Sequence, residues 1–155
     1  MIKFTRITLI SKGNAFGDCT KLANVNFNNI TRIEGQANLY PLANTKLTTI
    51  EMPNITSLGD YGFTSQTNGK TSIKTVILGS GLATLQQYSF RSLTNVKILI
   101  NATTPQTLSS GSTLNRYSNS GTYIYVPDDS YDNYYSSSVF TNWKSYLRKM
   151  STYTE

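Results

Sequence analysis

The 155-residue chain is of single-domain size and carries a formal charge of +6, from 14 Lys and Arg against 8 Asp and Glu, with length enough to bury roughly two-thirds of its unfolded surface. It has no histidine and a single cysteine, Cys19, which removes the commonest general base and metal ligand and excludes an intramolecular disulfide. Only 14% of the residues are charged, but 11 tyrosines and regularly recurring apolar residues argue for a folded chain rather than a disordered one.

From the N-terminus, Met1-Ile2-Lys3-Phe4-Thr5-Arg6 lacks the apolar run and small-residue cleavage site of a secretory signal. No stretch of the chain reaches the roughly 18–20 consecutive apolar residues of a membrane-spanning helix, so membrane insertion is not expected. Phe4-Thr5-Arg6-Ile7 reads as the second half of a repeating unit. The chain thus enters in mid-repeat, and this end is expected to meet a neighbouring domain or a second copy. Placing Leu22, Leu47, Ile73 and Val96 at one position gives intervals of 25, 26 and 23 residues. Leu22-Ala23-Asn24-Val25-Asn26-Phe27, Leu47-Thr48-Thr49-Ile50-Glu51-Met52 and Ile73-Lys74-Thr75-Val76-Ile77-Leu78 share one pattern. They are followed by Ile30-Thr31-Arg32-Ile33, Ile55-Thr56-Ser57-Leu58 and Leu82-Ala83-Thr84-Leu85.

A unit this short cannot bury its own apolar side, so the units must stack. Alternation along a strand predicts inward columns of Leu22, Leu47, Ile73 and Val96 and of Val25, Ile50, Val76 and Leu99. The outward rows are then Asn24, Thr49, Thr75 and Ile98, and Asn26, Glu51, Ile77 and Ile100. Phe16, Phe63 and Phe90 are expected to fill the space between two walls. Cys19 is expected to be a small buried core residue. Gly35, Gly59, Gly69, Gly79 and Gly81 fall in connections, where positive φ costs glycine little.

Past residue 101 the pattern changes. Residues 109–121 form a Ser/Gly/Asn-rich loop, and residues 123–126 read as a final strand ended by Pro127. Asp128, Asp129 or Ser130 is placed to cap a helix carrying Tyr131, Tyr134 and Tyr135. That helix loosens through residues 136–138 and resumes with Trp143, Tyr146, Leu147 and Met150 at helical spacing. Residues 1–101 are therefore read as a solenoid of about four turns, the first partial, and residues 102–155 as the loop, strand and helix cap of the same domain.

These residues carry a family resemblance. Ala15-Phe16-Gly17-Asp18-Cys19-Thr20-Lys21-Leu22 resembles the Ala-Phe-x-x-Cys-x-x-Leu signature of the BspA-like leucine-rich repeats. Ala102-Thr103-Thr104-Pro105, Ile124-Tyr125-Val126-Pro127-Asp128 and Trp143 with Tyr146 are similar to the closing segment of many such proteins. The chain departs from the pattern at Gln106, where a second proline is common, and at Ser80-Gly81. The resemblance implies a repeat solenoid coiled right-handedly around a short parallel β-sheet. It also implies the company of surface proteins of gut bacteria and of phage appendage proteins, which bind a protein partner or host surface receptor. It brings no catalytic residues with it.

The chemistry-bearing residues agree with a non-catalytic reading. Glu34 and Glu51 fall at different repeat positions, a poor arrangement for a hydrolytic carboxylate pair. Asp128, Asp129 and Asp132 lack the spacing of a calcium loop and suit a helix start instead. Gly79-Ser80-Gly81 has no lysine for a phosphate-binding loop. The basic residues are mostly isolated, so nucleic acid is not an expected partner. No catalytic residue, metal ligand or cofactor is assigned. The candidate partner-binding residues are Asn24, Asn26, Thr49, Glu51, Thr75 and Ile77 on the outer face, with Tyr135 on the cap, out of step with Tyr131 and Tyr134. Ile77, Ile98 and Ile100 either lie under the cap or form an exposed patch. Three functions follow as expectations: an adhesion module at a cell or virion exterior, a structural subunit of a phage tail, fibre or head appendage, and a carbohydrate-binding module using the C-terminal aromatics.

Overall fold

The stretches Thr49–Met52 and Thr75–Leu78 fold as brief strands, because alternate apolar residues, Ile50 with Met52 and Val76 with Leu78, bury one face while the residues between them turn away from the core. The computed structural model describes residues 2–3, 7–11, 13–35, 39–63, 72–117 and 119–155; the expected half-unit at Phe4, Thr5 and Arg6, together with Gly69, lies outside them. In chain order the strands are β1 (Ile2–Lys3), β2 (Leu9–Ile10), β3 (Val25–Asn26), β4 (Arg32–Ile33), β5 (Thr49–Met52) and β6 (Ser57–Leu58). They continue as β7 (Thr75–Leu78), β8 (Thr84–Leu85), β9 (Lys97–Ile100), β10 (Thr107–Leu108), β11 (Tyr123–Val126) and β12 (Leu147–Lys149). Every ladder among them is parallel. One wall runs β5-β7-β9-β11-β12, the opposite wall runs β2-β4-β6-β8-β10, and β1 pairs with β3. The chain is a repeat solenoid with a short helix, α1 (Tyr131–Ser136), at its C-terminal end.

The interior is built from columns. Ile50, Val76, Ile98 and Ile124 are in register in the first wall, as are Met52, Leu78 and Ile100. Ile10, Ile33, Leu58 and Leu85 form the matching column of the second wall. All are buried. Phe63 and Phe90 lie buried between the walls as expected, and Phe16 packs against the same core only in part.

The fourth turn corrects the expected register. Thr75 pairs with Lys97 and Val76 with Ile98, so Ile98 and Ile100 point inward, while Leu99 joins the outward row of Glu51 and Ile77. The cause lies in the corner before each strand. The Thr48 carbonyl accepts from both Lys74 N–H and Thr75 N–H, at 2.7 and 3.2 Å, whereas the Lys74 carbonyl accepts from Lys97 N–H alone at 2.8 Å. A shared carbonyl takes up one extra residue, which gives the three-residue step from Ile73 to Val76. The single bond leaves strict alternation from Val96 to Ile98 and Ile100.

The glycines also have a different cause from the expected one. A Cβ on Gly35 would stand 1.5 Å from the Asp60 carbonyl oxygen, and one on Gly79 would stand 1.8 Å from that of Pro53. These positions are glycine because neighbouring turns touch through their backbones. The left-handed backbone is supplied instead by Asp18, Asn44, Tyr61, Ser92 and Asn95, with φ between 53° and 62°, and by two other glycines, Gly111 and Gly121, with φ of 80° and 67°.

Four further expectations fail at the ends. Cys19 is exposed, since it belongs to the outermost turns, where half-buried Leu22 and Val25 contrast with fully buried Leu47 and Ile50. At the other end, residues 138–146 wind as 3-10 turns and Leu147 starts strand β12 rather than a resumed α-helix. Leu147 pairs with Ile124, so residues 123–126 are not the last strand. No side-chain cap is made at α1 or at the 3-10 turn before it. The Asp128 carboxylate accepts instead from the Ser151 N–H at 3.0 Å.

Candidate partner-binding face

The outer face of the first wall is fixed by register. One row runs Thr49, Thr75, Lys97, Tyr123, and the next runs Glu51, Ile77, Leu99, Tyr125, Arg148. Four of the expected residues, Thr49, Glu51, Thr75 and Ile77, come together here. They line a groove of about 370 Å³ whose remaining border is Tyr153 and Glu155. A second hollow of about 280 Å³ continues past Glu51 and Ile77 toward Pro53, Ser80 and Asn101. Glu51 is exposed and Ile77 half-buried, so the floor mixes a carboxylate, two hydroxyls and one branched aliphatic side chain.

The other expected residues lie elsewhere. Asn24 is exposed and Asn26 half-buried on the preceding turn, where Asn26 Oδ1 accepts from the Asn28 N–H at 2.9 Å and stabilises its own turn. Tyr135 is 47% exposed, but it sits on α1, stacked on Tyr131 with centroids 6.0 Å apart and with the Lys144 ammonium 5.3 Å from its ring. It borders neither hollow.

The sequence reading misses Lys97, Leu99, Tyr125, Tyr153 and Glu155. Lys97 carries the signal that finds the first two: a lysine between Val96 and Ile98 has to face water, which fixes the parity of the strand and turns Leu99 outward. The covering of this face comes from residues 150–155, which fold back across the wall. The Tyr153 ring meets Tyr125 edge-on at 5.3 Å. The Lys97 ammonium lies 5.2 Å from the Tyr153 ring and donates to the Thr154 carbonyl. Leu99 and Tyr125 are accordingly only 8% and 9% exposed. Ile98 and Ile100, the other half of the expected patch, belong to the core.

The cations and aromatics of the C-terminal half are largely occupied with each other. Arg116 stacks on Tyr146 at 3.3 Å and Arg148 on Tyr123 at 4.6 Å, and Arg91 lies 4.4 Å from the Tyr117 ring. Trp143 and Tyr134 are fully buried, which removes their faces from any sugar. Burial pushes the Tyr134 hydroxyl up to about 12, against a hydrogen bond from Gln106 that acts downward. Gln106 Nε2 donates to the Tyr134 oxygen at 2.9 Å, and Tyr134 donates to the Ala102 carbonyl at 2.9 Å. The departure from the expected proline at 106 thus fastens the cap to the repeats.

For reaction chemistry the site offers little. Glu34 is bound by Arg32 at 2.6 Å on the opposite wall, away from Glu51. Among the described residues, no group of three or more His, Cys, Asp or Glu side chains is placed to hold a metal ion, and no helix is long and apolar enough to cross a membrane. A search of curated proteins returned no match. A family model described as a BspA type leucine-rich repeat region matches in six copies, over residues 2–115 and 40–146.

Proposed function

The chain belongs to the BspA-type leucine-rich-repeat family, a family of generally non-catalytic repeats that commonly bind proteins, and on that premise we propose that it is an adhesion module acting at a cell or virion exterior, with a protein or host surface receptor as its partner. The observation that carries this reading is the meeting of Thr49, Thr75, Glu51 and Ile77, from two adjacent rows, around one open groove. Recognition on a solenoid flank comes from shape and many modest contacts. A floor that mixes one aliphatic side chain with hydroxyls and a carboxylate suits such a contact. The experiment is a binding assay of the labelled chain on intact cells and on immobilised extracellular proteins, comparing the wild type with Ile77→Asp and Glu51→Lys. At least a tenfold loss in both variants, with unchanged melting, is expected. Equal binding by all three would refute the face as the site.

A second reading, a structural subunit of a phage tail, fibre or head appendage, draws on the opposite end. Leu22 and Val25 are half-buried and Ile7 is 50% exposed, which suits packing against a second copy or another domain. Native mass measurements giving a defined oligomer favour it, and a monomer at every concentration opposes it. The carbohydrate-binding reading retains mainly Tyr135 and the half-buried Tyr131, and a blank glycan array would dispose of it.

A further inference from the structure

The row Glu51, Ile77, Leu99 and Tyr125 is continuous in register across four strands, yet its two halves are treated differently. The Glu51–Ile77 half is open as a groove, while the Leu99–Tyr125 half is roofed by residues 150–155 of the same chain. That roof is lightly attached. Ser151, Thr152, Thr154 and Glu155 are exposed. Its ties to the wall and cap include the Tyr153 ring on Tyr125, the Lys97 ammonium on Tyr153 and on the Thr154 carbonyl, and the Ser151 N–H and hydroxyl and the Met150 N–H on the Asp128 carboxylate. A segment held by a few surface contacts opens far more readily than the strands beneath it. The roofed surface is the apolar and aromatic part of the row, which would form an uncovered patch once the segment lifted.

We propose that the whole row is one docking track for an aromatic-bearing peptide segment of the partner protein, and that residues 150–155 are an intramolecular stand-in which that segment displaces. The seated segment shows the chemistry of the occupant: an aromatic ring edge-on to Tyr125, a main-chain carbonyl for the Lys97 ammonium, and a path that leaves the 3-10 turn Met150–Thr152 at Tyr153 and ends beside the Thr49–Glu51 groove. The partner's affinity is lowered by the fraction of time the chain's own segment is seated. This rests on the protein-binding reading of the same face.

The test uses the full chain, wild type and Tyr153→Ala/Asp128→Asn, with an added synthetic peptide of the sequence of residues 150–155 as the probe. The double variant is expected to bind the peptide at least tenfold more tightly than the wild type, with amide shifts at Ile77, Leu99 and Tyr125. A peptide carrying Ala in place of its tyrosine is expected to lose that binding. Equal affinity for both proteins, or shifts confined elsewhere, would overturn the proposal. If the double variant loses its cooperative melt, hydrogen exchange of the wild type decides: Ser151 exchanging orders of magnitude faster than Ile98 supports displacement, and matched rates overturn it. Partner binding that Ile77→Asp abolishes but Tyr153→Ala/Asp128→Asn leaves unchanged would keep the protein-binding face and reject the displaced segment.

Discussion

Several single residues carry weight out of proportion to their size. Gly79 stands where the backbone of one turn meets the Pro53 carbonyl of the turn before, and a methyl group there would sit 1.8 Å from that oxygen, far inside van der Waals contact. Gly79→Ala is therefore expected to cost at least about 1–3 kcal/mol, the usual cost of overpacking. Gly81→Ala, where an added Cβ meets nothing nearer than 3.8 Å, is expected to be near neutral, and thermal melts of the pair check the contrast. Tyr134 is the second such residue. Its hydroxyl is raised from 10.0 to about 12, so the folded state holds this proton more tightly than the unfolded state does. The contribution is fully present below pH 10.0 and is lost as pH rises through about 12. A shift of that size corresponds to roughly 2–3 kcal/mol. Tyr134→Phe should melt earlier at neutral pH, because Gln106 and the Ala102 carbonyl lose their partner, and the gap to the wild type should narrow above pH 10.0. A gap that held constant to about pH 12 would reject the linkage. Neither residue declares its role in the sequence. Gly79 sits in a plausible turn whose φ turns out ordinary, and Tyr134 is one tyrosine among many until its depth is known. Cys19 misleads for the converse reason: its motif describes a position inside a stack, and its place in the outermost turns leaves it exposed.

At the scale of strands and turns, the repeat period is legible because stacking forces identical positions to identical depths, and the columns at Leu47 and Ile73 and at Ile50 and Val76 lie buried as the periodicity demands. The fourth turn shows where periodicity stops being sufficient. Matching Val96 to Ile73 aligns two apolar residues correctly by depth but skips the corner residue that the third turn has and the fourth lacks. Substitution separates the two registers: Ile98→Ala is expected to cost about 2–5 kcal/mol and Leu99→Ala under about 1.5 kcal/mol, because one empties the core and the other only thins the cover of the outer face. Denaturant unfolding of both measures the difference, and the reverse order would restore the alignment that places Leu99 inside. The C-terminal cap was legible in its residues and not in its shape. Trp143, Tyr146 and Leu147 have helical spacing, but the exposed backbone edge of β11 is satisfied by Leu147 entering as another parallel strand, which ends the helical winding. The expected helix-capping aspartate is redirected in the same way. The hydroxyl and N–H of Ser151 hold the Asp128 carboxyl below its ordinary 3.8, so the tie is present above that value and is lost as pH falls through the lower folded value. Acidification below about pH 4 should shift the Ser151 and Tyr153 resonances of the wild type, and Asp128→Asn, lacking the titration, should not follow.

For the molecule as a whole, the two ends of the stack are unequal, and that inequality decides how it responds to damage. Parallel ladders couple each turn to its neighbours, so stability in such an array propagates from turn to turn. The C-terminal end is closed by Trp143, which lies edge-on to Phe90 at 6.3 Å and to Tyr146 at 6.5 Å, fully buried. The N-terminal turns leave Leu22 and Val25 half-buried. Which face is outward could be read from alternation, but which part of that face stays open could not. The roof over Leu99 and Tyr125 is laid by residues 150–155, about fifty residues downstream of Leu99, and no local pattern encodes so distant a contact. The same coupling makes the cap a point of failure. Trp143→Ala is expected to remove about 3–5 kcal/mol through lost burial and the cavity left behind. In native-state hydrogen exchange the loss should fall first on β11 and β12, where Ile124 and Leu147 lose their cover, and only then reach β7 and β5. If amides of β5 sped up as much as those of β12, the chain would unfold as one cooperative block, and the docking face would not outlast its cap.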